Sequence, residues 1–310
     1  MNKNVLVTSC GGDIGQSIGK ILKALNCTTF GLDISDKNAA KFIFDYFEVG
    51  LRVTDENYIS SIEQFVKKHK IDLIIPISEA ELRFYTKNYL DTLKVGGVDL
   101  LMANHLARVV GFDKGKTCSF LKEHALPNPK VYLSSNEPAQ FPLIAKPRAG
   151  SGSSNIFVIK NQEEFNFFFE NYKHLIFQEL LDGTAGEFTC CVYRSRSGIT
   201  RVLILKRELM GGFSGYGEVV ENQKIKELLD KLADLLNLEG SINVQLRMHK
   251  DEPVIFEINP RFSSTVLFRH MLGFYDLQWS LEDKFNLPIS DYSKPEKGAK
   301  FYKGFQEYIG

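Results

Sequence analysis

Two rhythms of apolar and polar residues organise the first hundred positions of the chain. Residues 4–8, 29–33 and 71–76 are short, nearly continuous apolar runs, the pattern of strands buried on both faces. Between them, residues 14–25 and 56–69 carry apolar side chains at helical spacing. Strands separated by helices of this length need right-handed crossovers and a parallel sheet. A small doubly wound α/β domain is therefore predicted, with ligand access at the carboxyl ends of its strands.

The rhythm then changes. A helix is predicted over 113–124, ended by Pro127-Asn128-Pro129, and strands over 141–146 and 156–159. A helix over 162–171 and a strand over 175–180 complete a compact α+β unit. Beyond Gly186 the pattern is mainly that of antiparallel strands, at 187–194, 200–207 and within 241–264. One long helix, 222–236, interrupts them.

The segment 241–264, SINVQLRMHKDEPVIFEINPRFSS, reads as two strands joined by a polar turn at 249–252. Side chains two apart share a strand face, so Glu257, Asn259 and Arg261 project together. A hairpin brings Gln245 across to join them. Two amide oxygens, a carboxylate and a guanidinium on one face suit Mg²⁺ and a polyphosphate. A solvated edge hairpin would show the same alternation. Pro260, which removes a ladder donor, and the apolar Ile255 and Ile258 nearby weigh against it.

Other stretches carry chemistry less sharply. Ser151, Gly152, Ser153 and Ser154 form a Gly/Ser loop between two strands, either an anion-binding loop or a hairpin turn. Lys146, ending an apolar strand just before it, is well placed to reach a phosphate, and Arg148 serves likewise or is solvated. Glu179 and Glu187 stand at strand ends, either around a nucleotide or simply exposed. Lys206 and Arg207 precede a second flexible loop, Gly211-Gly212-Phe213-Ser214-Gly215, which suits an anion or is a solvated turn. The set Gly11-Gly12-x-x-Gly15, with Asp33 further on, is an incomplete dinucleotide signal. An oxidoreductase built on it would leave the C-terminal two thirds unexplained.

Composition narrows the classes. At 310 residues, two domains or one large α/β unit with a lid are expected. Lys plus Arg and Asp plus Glu each number 38, which gives no reason to expect a nucleic-acid partner. No apolar run approaches the ~20 residues that span a bilayer, so no membrane partner is expected. The N-terminal MNKNVLVTSCGG enters a strand directly, with too short an apolar run for a leader. Five cysteines without framework spacing point to reduced thiols and a cytoplasmic protein. Oligomeric state is left open, a homodimer included.

In order and spacing, Asp113-Lys114, the strand ending in Lys146, the loop 150–154, Gln178-Glu179-Leu180, Gly186-Glu187, Lys206-Arg207, Gln245 and Glu257-Ile258-Asn259-Pro260-Arg261-Phe262 resemble the ATP-grasp superfamily. They are most similar to its carbamoyl-phosphate-synthase-large-subunit-like branch, with a single grasp module. The resemblance implies an N-terminal Rossmann-like domain (1–108), a lid subdomain (109–182) and an antiparallel-sheet core subdomain with the Mg-ATP site (183–310). By position, Lys114 and Lys146 would contact the ATP phosphates, with Ser151, Gly152, Ser153 and Ser154 as a mobile lid. Glu179 and Leu180 would hold adenine, and Glu187 the ribose hydroxyls. Gln245, Glu257 and Asn259 would ligate Mg²⁺ (or Mn²⁺). Arg261, Arg207 and Lys146 would be the catalytic cations.

The reaction implied is ADP-forming, Mg-dependent ligation of a small-molecule carboxylate to a small-molecule amine through an acyl phosphate. A non-catalytic ATP-binding regulatory module is the alternative. Carbamoyl-phosphate synthesis itself is excluded, because it needs two grasp modules. The acceptor would lie among the 10–15 loop, Ile77 to Glu81, Arg207 and Arg269, where Glu79 and Glu81 recognise an amine or merely begin a helix.

Overall fold

A computed structural model describes residues 1–88, 93–150 and 155–310. Ser151, Gly152, Ser153 and Ser154 lie outside the described residues. The chain begins β1 (Asn4–Thr8), α1 (Asp13–Ala24), β2 (Thr28–Asp33), α2 (Ala40–Ile43), β3 (Tyr46–Val49), α3 (Tyr58–His69), β4 (Leu73–Pro76), α4 (Glu79–Asn88). These strands form the expected parallel sheet, in the order β3-β2-β1-β4. Its two faces are separate apolar layers. Val5 and Val7 join Ile18, Ile21 and Leu22 of α1, while Leu6 joins Ile62, Phe65 and Val66 of α3. The edge strand β3 was not foreseen, because three of its four residues are exposed and its apolar pattern is weak.

A short hairpin, β5 (Lys94–Val95) and β6 (Val98–Asp99), and α5 (His105–Gly111) lead into the second unit. There α6 (Lys114–Glu123), β7 (Val131–Tyr132), β8 (Leu143–Pro147), β9 (Phe157–Ile159), α7 (Gln162–Asn171) and β10 (Leu175–Glu179) build a four-stranded antiparallel sheet. Its core centres on Leu143, Ala145, Phe165 and Phe177.

The third unit runs β11 (Glu187–Arg194), β12 (Thr200–Met210), β13 (Phe213–Val219), α8 (Gln223–Leu235), β14 (Gly240–His249), β15 (Glu252–Asn259), α9 (Val266–Met271), α10 (Asp276–Lys284) and β16 (Lys300–Tyr302). All six strands are antiparallel, in the order β15-β14-β11-β12-β13-β16. Strand alternation assigns each face a task. Phe188, Cys190 and Val192 of β11 bury against Ile225, Leu229 and Leu232 of α8. On the opposite face, Cys191 and Tyr193 pack with Phe274 and Trp279. Toward Glu187 and Thr189 the same face lines a cavity.

Phe213 to Gly215 belong to a strand and not to the flexible loop expected from their sequence. Glycine masks the strand signal, but packing requires it here. A Cβ on Gly217 would lie 2.6 Å from the Phe301 ring and 2.4 Å from the Lys206 carbonyl oxygen. Among the described residues no helix is long and apolar enough to cross a membrane, and all five cysteines are free and buried.

Candidate active site

One cavity of about 470 Å³ lies between the four-stranded sheet of the second unit and the open end of the six-stranded sheet. Register explains its floor. Gln245 stands opposite Glu257 and Asn243 opposite Asn259 across β14 and β15, while Thr189 stands opposite Gln245 across β11 and β14. A bulge shifts the β14–β15 register between Gln245 and Leu246, so that Leu246 pairs with Ile255 and Phe256 is the extra residue. This lets Ile255 and Ile258 both bury against α8 although they are three apart. Phe256, Glu257 and Asn259 all reach the cavity.

The roof comes from β8, β10 and the start of α6. Asp113 caps α6, its carboxylate accepting from the amides of Gly115 at 2.8 Å and Lys116 at 3.1 Å. Burial would raise that carboxyl, yet the Lys116 amide and Arg148 hold it below the usual carboxylate range. The cap fixes Lys114 in the first turn. Its Nζ donates to the Gly150 carbonyl at 2.8 Å and stands 3.8 Å from Glu257 Oε1. Lys146 is buried, its Nζ donating to the Phe256 carbonyl at 3.3 Å. Burial lowers its ammonium to about 8, with Glu257 opposing and Lys114 reinforcing the shift. Arg148, by contrast, is exposed and pairs with Asp113 at 3.1 Å.

Glu187 lies between two guanidiniums aligned across three strands. Arg207 Nη2 donates to Oε1 at 2.6 Å and Arg247 Nη2 to Oε2 at 2.8 Å. Burial alone would raise this carboxyl, but Arg207 and then Arg247 hold it below its ordinary value. Both of its oxygens already accept, so a ribose hydroxyl there would have to share them. Arg247 also donates to the Leu181 carbonyl at 3.2 Å, which ties the segment after β10 to the floor. Beside it, His249 Nδ1 accepts from the Asp182 amide at 3.3 Å and Nε2 faces Glu179 Oε1 at 3.3 Å. Glu179, Leu180, Leu181, Ile144 and Phe256 line this end.

Arg261, Ser263 and Ser264 line the cavity near Ile14 of α1. Burial draws the Arg261 guanidinium below its usual value, against the pull of Glu79 and Glu257. Arg269 and Glu81, two of the acceptor candidates, are spent elsewhere. Arg269 pairs with Asp276 at 2.8 Å, both essentially inaccessible. Glu81 accepts from Ser9, Tyr58 and Ser78 at 2.6, 2.6 and 2.7 Å. Glu79 opens α4, held by Arg83 at 2.6 Å and by the Gly150 amide at 3.2 Å.

Of the residues singled out from sequence, Lys114, Lys146, Glu179, Leu180, Glu187, Arg207, Gln245, Glu257, Asn259 and Arg261 line this one cavity. Thr189, Asn243, Arg247, His249 and Phe256 were not singled out. Asn243 and Arg247 flank Gln245 at a spacing of two, a signal that was available. The described lining carries five cations, Lys114, Lys146, Arg207, Arg247 and Arg261, against the carboxylates Glu179, Glu187 and Glu257. Such an excess favours a polyanion.

Gln245, Glu257 and Asn259 offer one carboxylate and two amide oxygens, and no cluster of three His, Cys, Asp or Glu side chains suits a metal among the described residues. That set fits Mg²⁺ held jointly with phosphate oxygens, because Mg²⁺ accepts few protein ligands and retains other oxygens.

A parallel α/β domain, a small antiparallel sheet and a larger one enclosing a cation-rich cavity define an ATP-grasp architecture. Comparison with known proteins agrees: residues 112–265 match the ATP-grasp domain and residues 5–101 the PylC-like N-terminal domain. The chain is thus an ATP-grasp protein with a single grasp module. Among solved structures it is similar to N5-carboxyaminoimidazole ribonucleotide synthetase from Thermus thermophilus, at 16% identity and TM-score 0.74, covering 94% of this chain and 80% of that one. It is also similar to L-amino acid ligase from Bacillus licheniformis, at 19% identity and TM-score 0.70, covering 91% and 73%. A curated relative, D-alanine--D-alanine ligase from Petrotoga mobilis, is 22% identical over 190 residues. The match spans 54% of this chain and 63% of that protein's length.

Proposed function

We propose that the protein is an ATP-dependent carboxylate–amine ligase, ADP-forming and Mg²⁺-dependent, working through an acyl phosphate. The observation that carries this reading is the convergence of Glu257, Gln245 and Asn259 with Lys114, Lys146 and Arg261 on one cavity. The names of the structural neighbours support the same class of chemistry.

In this reading the apolar end at Ile144, Leu180, Leu181 and Phe256, with Glu179 beside it, takes the adenine, and Glu187 faces the ribose side. Lys114 and Lys146 contact the phosphates. Gln245, Glu257 and Asn259 hold Mg²⁺, which when bound neutralises phosphate charge and orients the terminal phosphoryl group. Arg261 and Arg207 stabilise charge on the phosphoryl group in transit. The acid's oxygen attacks the γ-phosphorus and ADP departs. An amine then attacks the acyl carbon and phosphate leaves. No side-chain nucleophile is required, and positioning with charge neutralisation does the work.

The test is to mix the protein with Mg-ATP and a matrix of acids and amines. ADP should appear only when both partners are present; AMP as the nucleotide product would rule out the acyl-phosphate route. Glu257→Gln should lower turnover at least about a hundredfold with little change in stability, because it removes the one carboxylate of the proposed ligand set. Unchanged turnover in that variant would remove Glu257 from the site. Nucleotide binding without turnover on any pair would instead support a regulatory module.

A further inference from the structure

We propose that the acid taken by this site carries an apolar side chain, selected by the β12–β13 hairpin. The proposal rests on the ligase reading above and names the substrate class for that site. The hairpin turns at Gly211 and Gly212, whose φ values of +60° and +86° suit a tight two-residue connection. It places Leu209 and Phe213 on the cavity wall beside Arg207, and Ile14 of α1 lines the same cavity. Arg207 is held in place by Glu187 at 2.6 Å and by Ser214 Oγ at 3.2 Å.

The acidic groups nearest this wall are already engaged. Glu187 has both oxygens committed to guanidiniums, and Glu257 lies toward Lys114. Arg207 is engaged by Glu187 and Ser214, so Arg261 remains to receive the acid's one carboxylate. Leu209, Phe213 and Ile14 offer a second charged group no partner, so an acid with a charged side chain would bury it uncompensated. An aliphatic or aromatic side chain gains contact there.

Hydroxylamine makes the choice testable without knowing the natural amine. The acid's oxygen bonds to the γ-phosphorus and ADP is expelled. The hydroxylamine nitrogen then attacks the acyl carbon, the bond to phosphate breaks, and phosphate, a proton and a hydroxamate are released. The full-length chain is given Mg-ATP, hydroxylamine and either apolar acids (4-methylpentanoate, leucine, phenylalanine) or charged ones (succinate, aspartate, glutamate). Hydroxamate and ADP are measured.

The expected result is a kcat/KM at least about tenfold higher for the apolar set. Leu209→Asp should reduce that advantage by about tenfold or more while leaving the KM for ATP unchanged. Leu209 is 46% exposed, so the fold should tolerate the change. Preference for charged acids, or an unaltered preference in Leu209→Asp, would overturn the substrate class and leave the ligase reading standing. Absence of ADP with every acid, while Mg-ATP still raises the melting temperature, would overturn the ligase reading and this inference with it.

Discussion

Mixing the nucleotide-free protein with Mg-ATP at about pH 9 should draw protons from solution, and Lys146 is the reason. Burial lowers its ammonium from 10.5 to about 8. That difference corresponds to roughly 3 kcal/mol of preference for the neutral amine in the nucleotide-free protein. A unit above its own pKa the amine is about nine-tenths neutral. A triphosphate beside it favours the ammonium form, so binding should take up more than about half a proton.

Titration calorimetry in two buffers of different ionisation enthalpy measures the uptake directly. In Lys146→Met it should fall close to zero. The same shift links stability to pH. The folded pKa is depressed, so between about pH 8 and 10.5 the unfolded chain keeps a proton that the folded chain has lost. Stability relative to the Met variant should therefore rise with pH across that window, by up to about 3 kcal/mol. Below it, the full penalty of a buried ammonium is present. Binding heats independent of buffer, or an uptake unchanged in Lys146→Met, would refute the reasoning.

Three further outcomes are expected. Glu187→Gln leaves Arg207 and Arg247 without their shared carboxylate and should destabilise the fold by roughly 3 kcal/mol in urea unfolding; a change under about 1 kcal/mol would mean that the guanidiniums find other partners. Arg269→Met strands Asp276 in the core and should be destabilising by roughly 3–5 kcal/mol, with the KM for ATP unaltered, whereas a raised KM at full stability would return Arg269 to the site. Chelation by EDTA should weaken ATP binding at least about tenfold, with recovery on adding Mg²⁺ or Mn²⁺, since Glu257 is the only carboxylate in the proposed ligand set; metal-independent binding would exclude the Gln245–Glu257–Asn259 role.

Much of this was legible in the chain because its signals are local. Apolar runs at 4–8 and 71–76, and helical spacing at 14–25, announced β1, β4 and α1, since burial of a strand or a helix face imposes its own period. The alternation of Glu257, Asn259 and Arg261 placed them on one face before any fold was known. Where a local signal was weak, the reading missed. The exposed edge strand β3 lacks an apolar pattern, and the glycines of β13 hide a strand that only Lys206 and Phe301, packed over Gly217, make necessary.

The sequence alone therefore determined the fold class, the order of the principal elements and the residue types gathered on one cavity. Tertiary structure decided the rest. Pairing across β11, β12 and β14 joined Arg207, Glu187 and Arg247 into one charged row. The bulge in β15 turned Phe256 and its carbonyl toward Lys146. Packing buried Arg269 against Asp276 and took it out of contention as a substrate contact. The physical reason is that side-chain period is a property of each segment, whereas register, bulges and burial arise only when segments distant in sequence meet.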